Sequence, residues 1–160
     1  MDETYIGRVV ADELWALRDR IAENIRANGQ NATGKTIESM NVQQNVDGAT
    51  LYGRRYFGAL ETGRRPYSGG SKRGLSEAIL EWLNAKGIHK PGVTDQSLAI
   101  AIARSINKKG TQLFRQGGRN DVFSQEIEKA TEEITKKFSI LMTAEVTSEL
   151  MKRRKEYNFT

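Results

Sequence analysis

Phe123, Ile127, Ala130, Ile134, Phe138, Leu141, Ala144 and Leu150 keep helical spacing over roughly eight turns. A single helix of that length is long for a chain of 160 residues. At about 122–155 it must either project from the body or pack on a neighbouring molecule. Asp121 or Ser124 can start it. A second stripe runs along the other end of the chain: Tyr5, Ile6, Val9, Val10, Leu14, Leu17, Ile21 and Ile25 recur at three- and four-residue steps. Asp2 or Thr4 can cap that helix, and Asn28-Gly29 can end it, since glycine accepts the left-handed C-cap conformation.

Between these helices the period changes. Residues 28–35 read as a polar loop. Residues 36–46, TIESMNVQQNV, alternate apolar and polar imperfectly and are expected as a strand. Asp47-Gly48 is a two-residue turn signal, and 49–52 form the return strand. Residues 64–74 are loop by composition, with one proline, three glycines and two serines. Leu75, Ile79, Leu80, Trp82 and Leu83 mark a short helix closed at Lys86-Gly87, with Ile88 folding back in a Schellman-type ending. After a linker opened by Pro91, Thr94 caps a further helix whose buried stripe is Leu98, Ala99, Ile102, Ala103 and Ile106, with Ile100 at its flank. Lys108-Lys109-Gly110 closes it. Residues 111–120 are expected to be irregular or extended. There are no internal repeats. Strands are grouped and not interleaved with helices. This predicts one α+β domain over 1–160: a small antiparallel curved sheet with its hairpin against the N-terminal helix, flanking short helices and a long C-terminal helix.

The chain lacks cysteine, which excludes disulfides and thiolate metal sites. The charged N-terminal segment does not read as a signal peptide. No apolar run approaches the ~18 residues of a membrane span, so no membrane partner is expected. His89 is the sole histidine, which excludes a multi-histidine metal site within one chain; it reads as a surface or linker residue. Most carboxylates read as solvated helix surface or i,i+4 partners of lysines. Residues 29–36, GQNATGKT, satisfy the P-loop spacing, but a helix precedes them where a buried strand is needed. No catalytic residue, cofactor site or metal site is expected, and the chain reads as a non-enzyme.

Charge is localised. Residues 54–73 hold six cations (Arg54, Arg55, Arg64, Arg65, Lys72, Arg73) and one acid, Glu61. That is +5, the net charge of the entire chain. A basic balance confined to one segment points to contact with an anionic surface, whether phosphate backbone or acidic protein. Arg64, Arg65, Lys72 and Arg73 have no acid among them, and Tyr67 can stack or pack at such a contact. Glu61, lying among arginines, reads as a structural salt bridge in preference to a catalytic acid.

The segment Tyr56-Phe57-Gly58-Ala59-Leu60-Glu61-Thr62-Gly63-Arg64-Arg65-Pro66 resembles tailed-phage tail-completion and neck proteins, the small head–tail connectors. The shared pattern is an aromatic, an apolar-Glu-x-Gly and a basic, proline-containing loop. It follows a hairpin and precedes a helix ending in Lys-Gly-Ile, here Lys86-Gly87-Ile88. The 98–106 helix and Lys109-Gly110-Thr111 also look similar, so the likeness covers roughly 5–150. Residues 116–123 depart from it, standing where many relatives carry a proline-phenylalanine segment. The resemblance implies a structural virion protein at the head–tail junction, present in host cytoplasm before assembly. It implies no cofactor and a homo-oligomeric ring of twelve or six copies. Its partners would be portal or adaptor and tail-tube proteins, with DNA in the lumen. It marks Tyr56, Leu60, Glu61 and Gly63 as a structural motif, and Arg64, Arg65, Tyr67, Lys72 and Arg73 as the partner- or DNA-facing loop. The alternatives are a basic nucleic-acid-binding accessory protein and, from the glycine-lysine segment, a nuclease or phosphotransferase.

Overall fold

The computed structural model describes residues 3–46, 48–67 and 73–157; of Glu3, Thr4, Arg73, Glu156 and Tyr157 only the backbone is described. The fold is α+β. Helix α1 (Glu3–Ala27) is followed by a single helical turn, α2 (Lys35–Glu38), and by a hairpin of β1 (Asn41–Asn45) and β2 (Gly48–Tyr52). Another single turn, α3 (Ala59–Thr62), leads to helices α4 (Arg73–Lys86) and α5 (Asp95–Lys109), the short α6 (Gln112–Arg115) and the long α7 (Ser124–Tyr157).

Two small cores hold these elements. The first joins Leu17, Ile21, Ala22 and Ile25 of α1 to Ile37, Met40, Val122 and Ala130. Leu14, Leu51, Phe57, Leu60 and Phe123 pack around it, and the Phe57 and Phe123 rings lie 5.3 Å apart. α7 runs back along α1. Arg20 Nε donates to Glu126 at 3.0 Å near one end, and Lys137 pairs with Glu13 further along. The hairpin lies against α1, and Gly7 permits the approach: a Cβ there would fall 2.7 Å from the Asn45 carbonyl oxygen. The second core is an α4–α5 helical hairpin, in which Leu83 and Ile79 close on Ala99 and Ala103. The two alanines let the helices come together, and Leu83 is fully buried.

Local signals explain most boundaries. α1 and α4 both end in Schellman closures, at Gly29 (φ 64°) and Gly87 (φ 63°). In α4 the Ile88 N–H donates to the Leu83 carbonyl at 3.0 Å and the Gly87 N–H to that of Asn84 at 3.2 Å. Thr94 caps α5 as expected, its hydroxyl accepting from the Ser97 N–H. α1 already includes Thr4, so Thr4 is not its cap; Asp2 lies outside the described residues.

Three expectations are corrected. Residues 35–38 are helical, so the first strand begins only at Asn41. The buried residues explain why: Ile37 to Met40 is a three-residue, helical step, and Met40 to Val42 a two-residue, strand step. The hairpin register pairs Asn45 with Gly48, placing Gly48 in β2 and not in the turn; Gly48 has no positive φ, and Asp47 lies outside the described residues. Residues 112–115, expected as irregular, form α6, because the Thr111 hydroxyl accepts from the Phe114 N–H and starts a helical turn.

Because Leu83 lies wholly inside the α4–α5 core, Leu83→Ala is expected to destabilise that core by about 2–5 kcal/mol. Urea unfolding followed by circular dichroism measures it. A change below about 0.5 kcal/mol would show that α4 and α5 do not pack as described.

Candidate functional site

The Leu60-Glu61-Thr62-Gly63 turn is the junction of the molecule. Leu60 packs against the first core, and its carbonyl accepts from Gln30 Nε2 at 2.7 Å. The Glu61 side chain points inward and is 3% exposed. Its Oε1 accepts the backbone N–H groups of Val122, Phe123 and Ser124 at 2.9, 2.7 and 2.9 Å. Its Oε2 accepts from the Ser124 hydroxyl. These amides lead into the open N-terminus of α7, where the unpaired N–H groups and the helix dipole both favour an anion. Glu61 is therefore a helix cap supplied from 61–63 positions away. The expected salt bridge to neighbouring arginines is not formed. Burial pushes the Glu61 carboxyl up, but the hydrogen bonds from Ser124, Phe123 and Val122 together outweigh it and hold the group below its ordinary value.

Backbone contacts extend the junction. The Arg119 N–H donates to the Glu61 carbonyl at 2.9 Å. The Arg119 guanidinium forks onto Asp121 at 2.5 and 2.6 Å and also reaches Asn28 Oδ1 at 2.6 Å. The hydrogen bond from Arg119 holds the Asp121 carboxyl below the usual carboxylate range. Gly63 adopts φ 67°, ψ −177°, a region open essentially to glycine. A Cβ there would collide with the Phe114 backbone nitrogen and fall 2.6 Å from Thr111 Oγ1. Gly110 has the same conformation, φ 77°, ψ 174°. Between these glycines Arg64 and Thr111 exchange hydrogen bonds: the Arg64 N–H donates to the Thr111 hydroxyl at 2.9 Å, and the Thr111 N–H to the Arg64 carbonyl at 2.8 Å. The Tyr67 N–H then donates to the Asn107 carbonyl at 2.9 Å. Residues 64–67 are thus pinned along the α5–α6 junction. Residues 64–67 are loop, as expected, but the Arg64 N–H and carbonyl and the Tyr67 N–H are held by Thr111 and Asn107.

The pinned backbone turns its charges outward. Arg65 and Tyr67 are exposed and Arg64 is half-buried. Among the described residues, the Arg55, Arg64 and Arg65 guanidinium groups form no ion pair. Arg54 hydrogen-bonds the Tyr56 hydroxyl and sits 5.8 Å from the centre of its ring. The reason no acid answers them is the inward turn of Glu61, the one carboxylate in the segment. Lys72 lies outside the described residues, as does the side chain of Arg73, whose backbone opens α4.

The other candidates fall elsewhere. The segment 29–36 follows α1 and opens only the single turn α2, and Lys35 pairs with Glu81 of α4. His89 is exposed in the linker, its Nδ1 3.0 Å from Asp95 Oδ2. Among the described residues no group of three or more His, Cys, Asp or Glu could hold a metal ion, and no helix is long and apolar enough to cross a membrane. The chain matches no protein-family model, no curated protein and no solved structure.

Two outcomes are expected. Gly87 has open space around it, so Gly87→Ala carries only the left-handed backbone cost, about 1–2 kcal/mol. Gly63→Ala adds steric overlap with α6 and is expected to cost about 3 kcal/mol or more. Equal shifts in the urea midpoint would refute the close packing at Gly63. For Glu61, the lowered folded value means that its stabilisation is full above the ordinary carboxylate value of ~4.3 and fades as pH falls through the folded value. Glu61→Gln is expected to lose about 1.5–3 kcal/mol at neutral pH, the gap narrowing in acid. A gap independent of pH would show that the carboxylate charge contributes nothing to the cap.

Proposed function

We propose that this protein is a structural virion protein, a ring-forming connector at the head–tail junction of a tailed phage. Arg64 and Arg65, together with Lys72 and Arg73, face DNA in the lumen or an acidic surface on an adjacent ring. Two properties support the reading. The first is the resemblance of residues 56–66 to tail-completion and neck proteins. The second carries the argument: the only acid of a +5 segment is consumed in capping α7, so Arg55, Arg64 and Arg65 are left without a counter-charge among the described residues. Arginines without a counter-charge bind anions through counterion release, whatever their sequence. The work of the protein is assembly: each copy fixes a basic edge in one orientation, and the ring multiplies it around an axis.

Replacing Arg64, Arg65, Lys72 and Arg73 with serine tests this. Exposed charges contribute about 0–1 kcal/mol each, so the fold is expected to survive. Particle yield and packaged-DNA retention are expected to drop, with the widest gap from wild type at low salt and a smaller one at high salt. Unchanged particles would show the cluster to be merely solvated. Unchanged particles with lost DNA binding by the free protein would favour a nucleic-acid-binding accessory role.

A further inference from the structure

α7 outruns the body of the protein. Its side facing α1 is buried at Glu126 and Ala130 and half-buried as far as Leu141. From Met142 to Lys155 every residue is exposed, a rod of about 20 Å. This rod is not a polar extension. At 3.6 residues per turn it carries apolar side chains on two opposite sides. One side continues the α1-facing stripe through Ile140, Ala144 and Met151, and there Ala144, Thr147, Ser148, Met151, Lys152 and Lys155 line a shallow groove. The other side carries Met142, Val146 and Leu150 in an i, i+4 row, 53%, 53% and 63% exposed.

Thr143 and Thr147, between the two stripes, do not oppose burial. Thr143 and Thr147 donate their hydroxyls to the carbonyls four residues back, at 2.8 and 2.7 Å. They belong to a ladder that begins with Thr131, Thr135 and Ser139. Donors satisfied inside the helix lose little when a neighbour excludes water. On the flank that holds Glu145, Glu149 and Lys152 the charges are complementary; Arg153 lies on the Met142–Val146–Leu150 side beyond Glu149, and Arg154 on the opposite flank. Lys152 and Lys155 border the grooved side, while Glu145 and Glu149 border the Met142–Val146–Leu150 side. The Glu149–Lys152 pair at 3.0 Å already joins these flanks within one copy.

A two-fold pair would cover only one stripe and would set like flanks against each other. A head-to-tail contact covers both, because the two surfaces that meet are different, and it repeats around an axis. We propose that the distal half of α7 forms a collar of parallel helices, the grooved side of each packing on the Met142–Val146–Leu150 side of the next copy. Lys152 of one copy then stands within about one turn of the neighbour's Glu149 along the axis. This inference rests on the ring reading above and names the surface that closes the ring.

The test uses two full-length variants and sedimentation velocity. Ala144→Glu with Met151→Glu blocks the grooved side; Val146→Glu with Leu150→Glu blocks the other. Both put charge on exposed sites of a good helix former, so helicity by circular dichroism is expected to be unchanged. Wild type is expected to assemble into a closed oligomer. Each variant alone is expected to sediment as the 18.0 kDa chain. Mixed one to one, the variants are expected to give a species of twice that mass and nothing larger, since each keeps one intact side. If wild type assembles and either variant assembles equally, the ring reading stands and the collar is overturned. If one variant alone still dimerises, the contact is isologous and the collar is again overturned. A wild type that stays monomeric at all concentrations overturns both.

Discussion

A carboxylate fills the open end of the longest helix, and the rest of the structure is arranged around that contact. α7 begins with amides that no preceding turn can satisfy. Glu61 accepts the Phe123 and Ser124 amides at that end and the Val122 amide just ahead of it, and its other oxygen accepts the Ser124 hydroxyl. To reach that position the chain must turn sharply at Gly63, which brings residues 64–67 against Thr111 and Asn107. One interaction thereby fixes where α7 starts, how the two cores connect and which way the basic segment faces.

The same contact governs the electrostatics. An acid among arginines would ordinarily neutralise one of them at a distance of a few ångströms. Here its charge is committed to backbone dipoles inside the fold. The arginines keep their full charge at the surface, and the carboxylate is not left buried and unpaired. Stability and surface potential are served by one residue without competing for it.

The regular helices were legible in the sequence because their signals are local. Gly87-Ile88 and Thr94 act within a turn of themselves, and the α5 stripe matches its buried residues. α2 and α6 were not, since a single turn leaves too short a pattern: Ile37, Met40 and Val42 mix two periods, and Thr111 to Phe114 offers one cap and one aromatic. The role of Glu61 was illegible for a different reason. Its partners are backbone amides at 122–124, which carry no residue-specific mark, so the surrounding arginines looked like the natural partners. The basic cluster itself was visible as charge; that half of it is pinned depended on Thr111 and Asn107, which nothing nearby in the chain announces.

The two cores differ in when they can exist. Ile79, Leu83, Ala99 and Ala103 are close in sequence, so the α4–α5 hairpin can close by local contacts as soon as both helices are synthesised. The α1 core needs partners from the far end of the chain. Asn24 meets Val122 across 98 positions, and Glu13 meets Lys137 across 124. Leu17, Ile21 and Ile25 can therefore meet Ile37, Met40 and the hairpin early, while the side of α1 toward Val122 and Ala130 stays open until α7 has been made. The first core thus closes in two stages, a near one on the hairpin and a distant one on α7, and between them one side of α1 is exposed apolar surface.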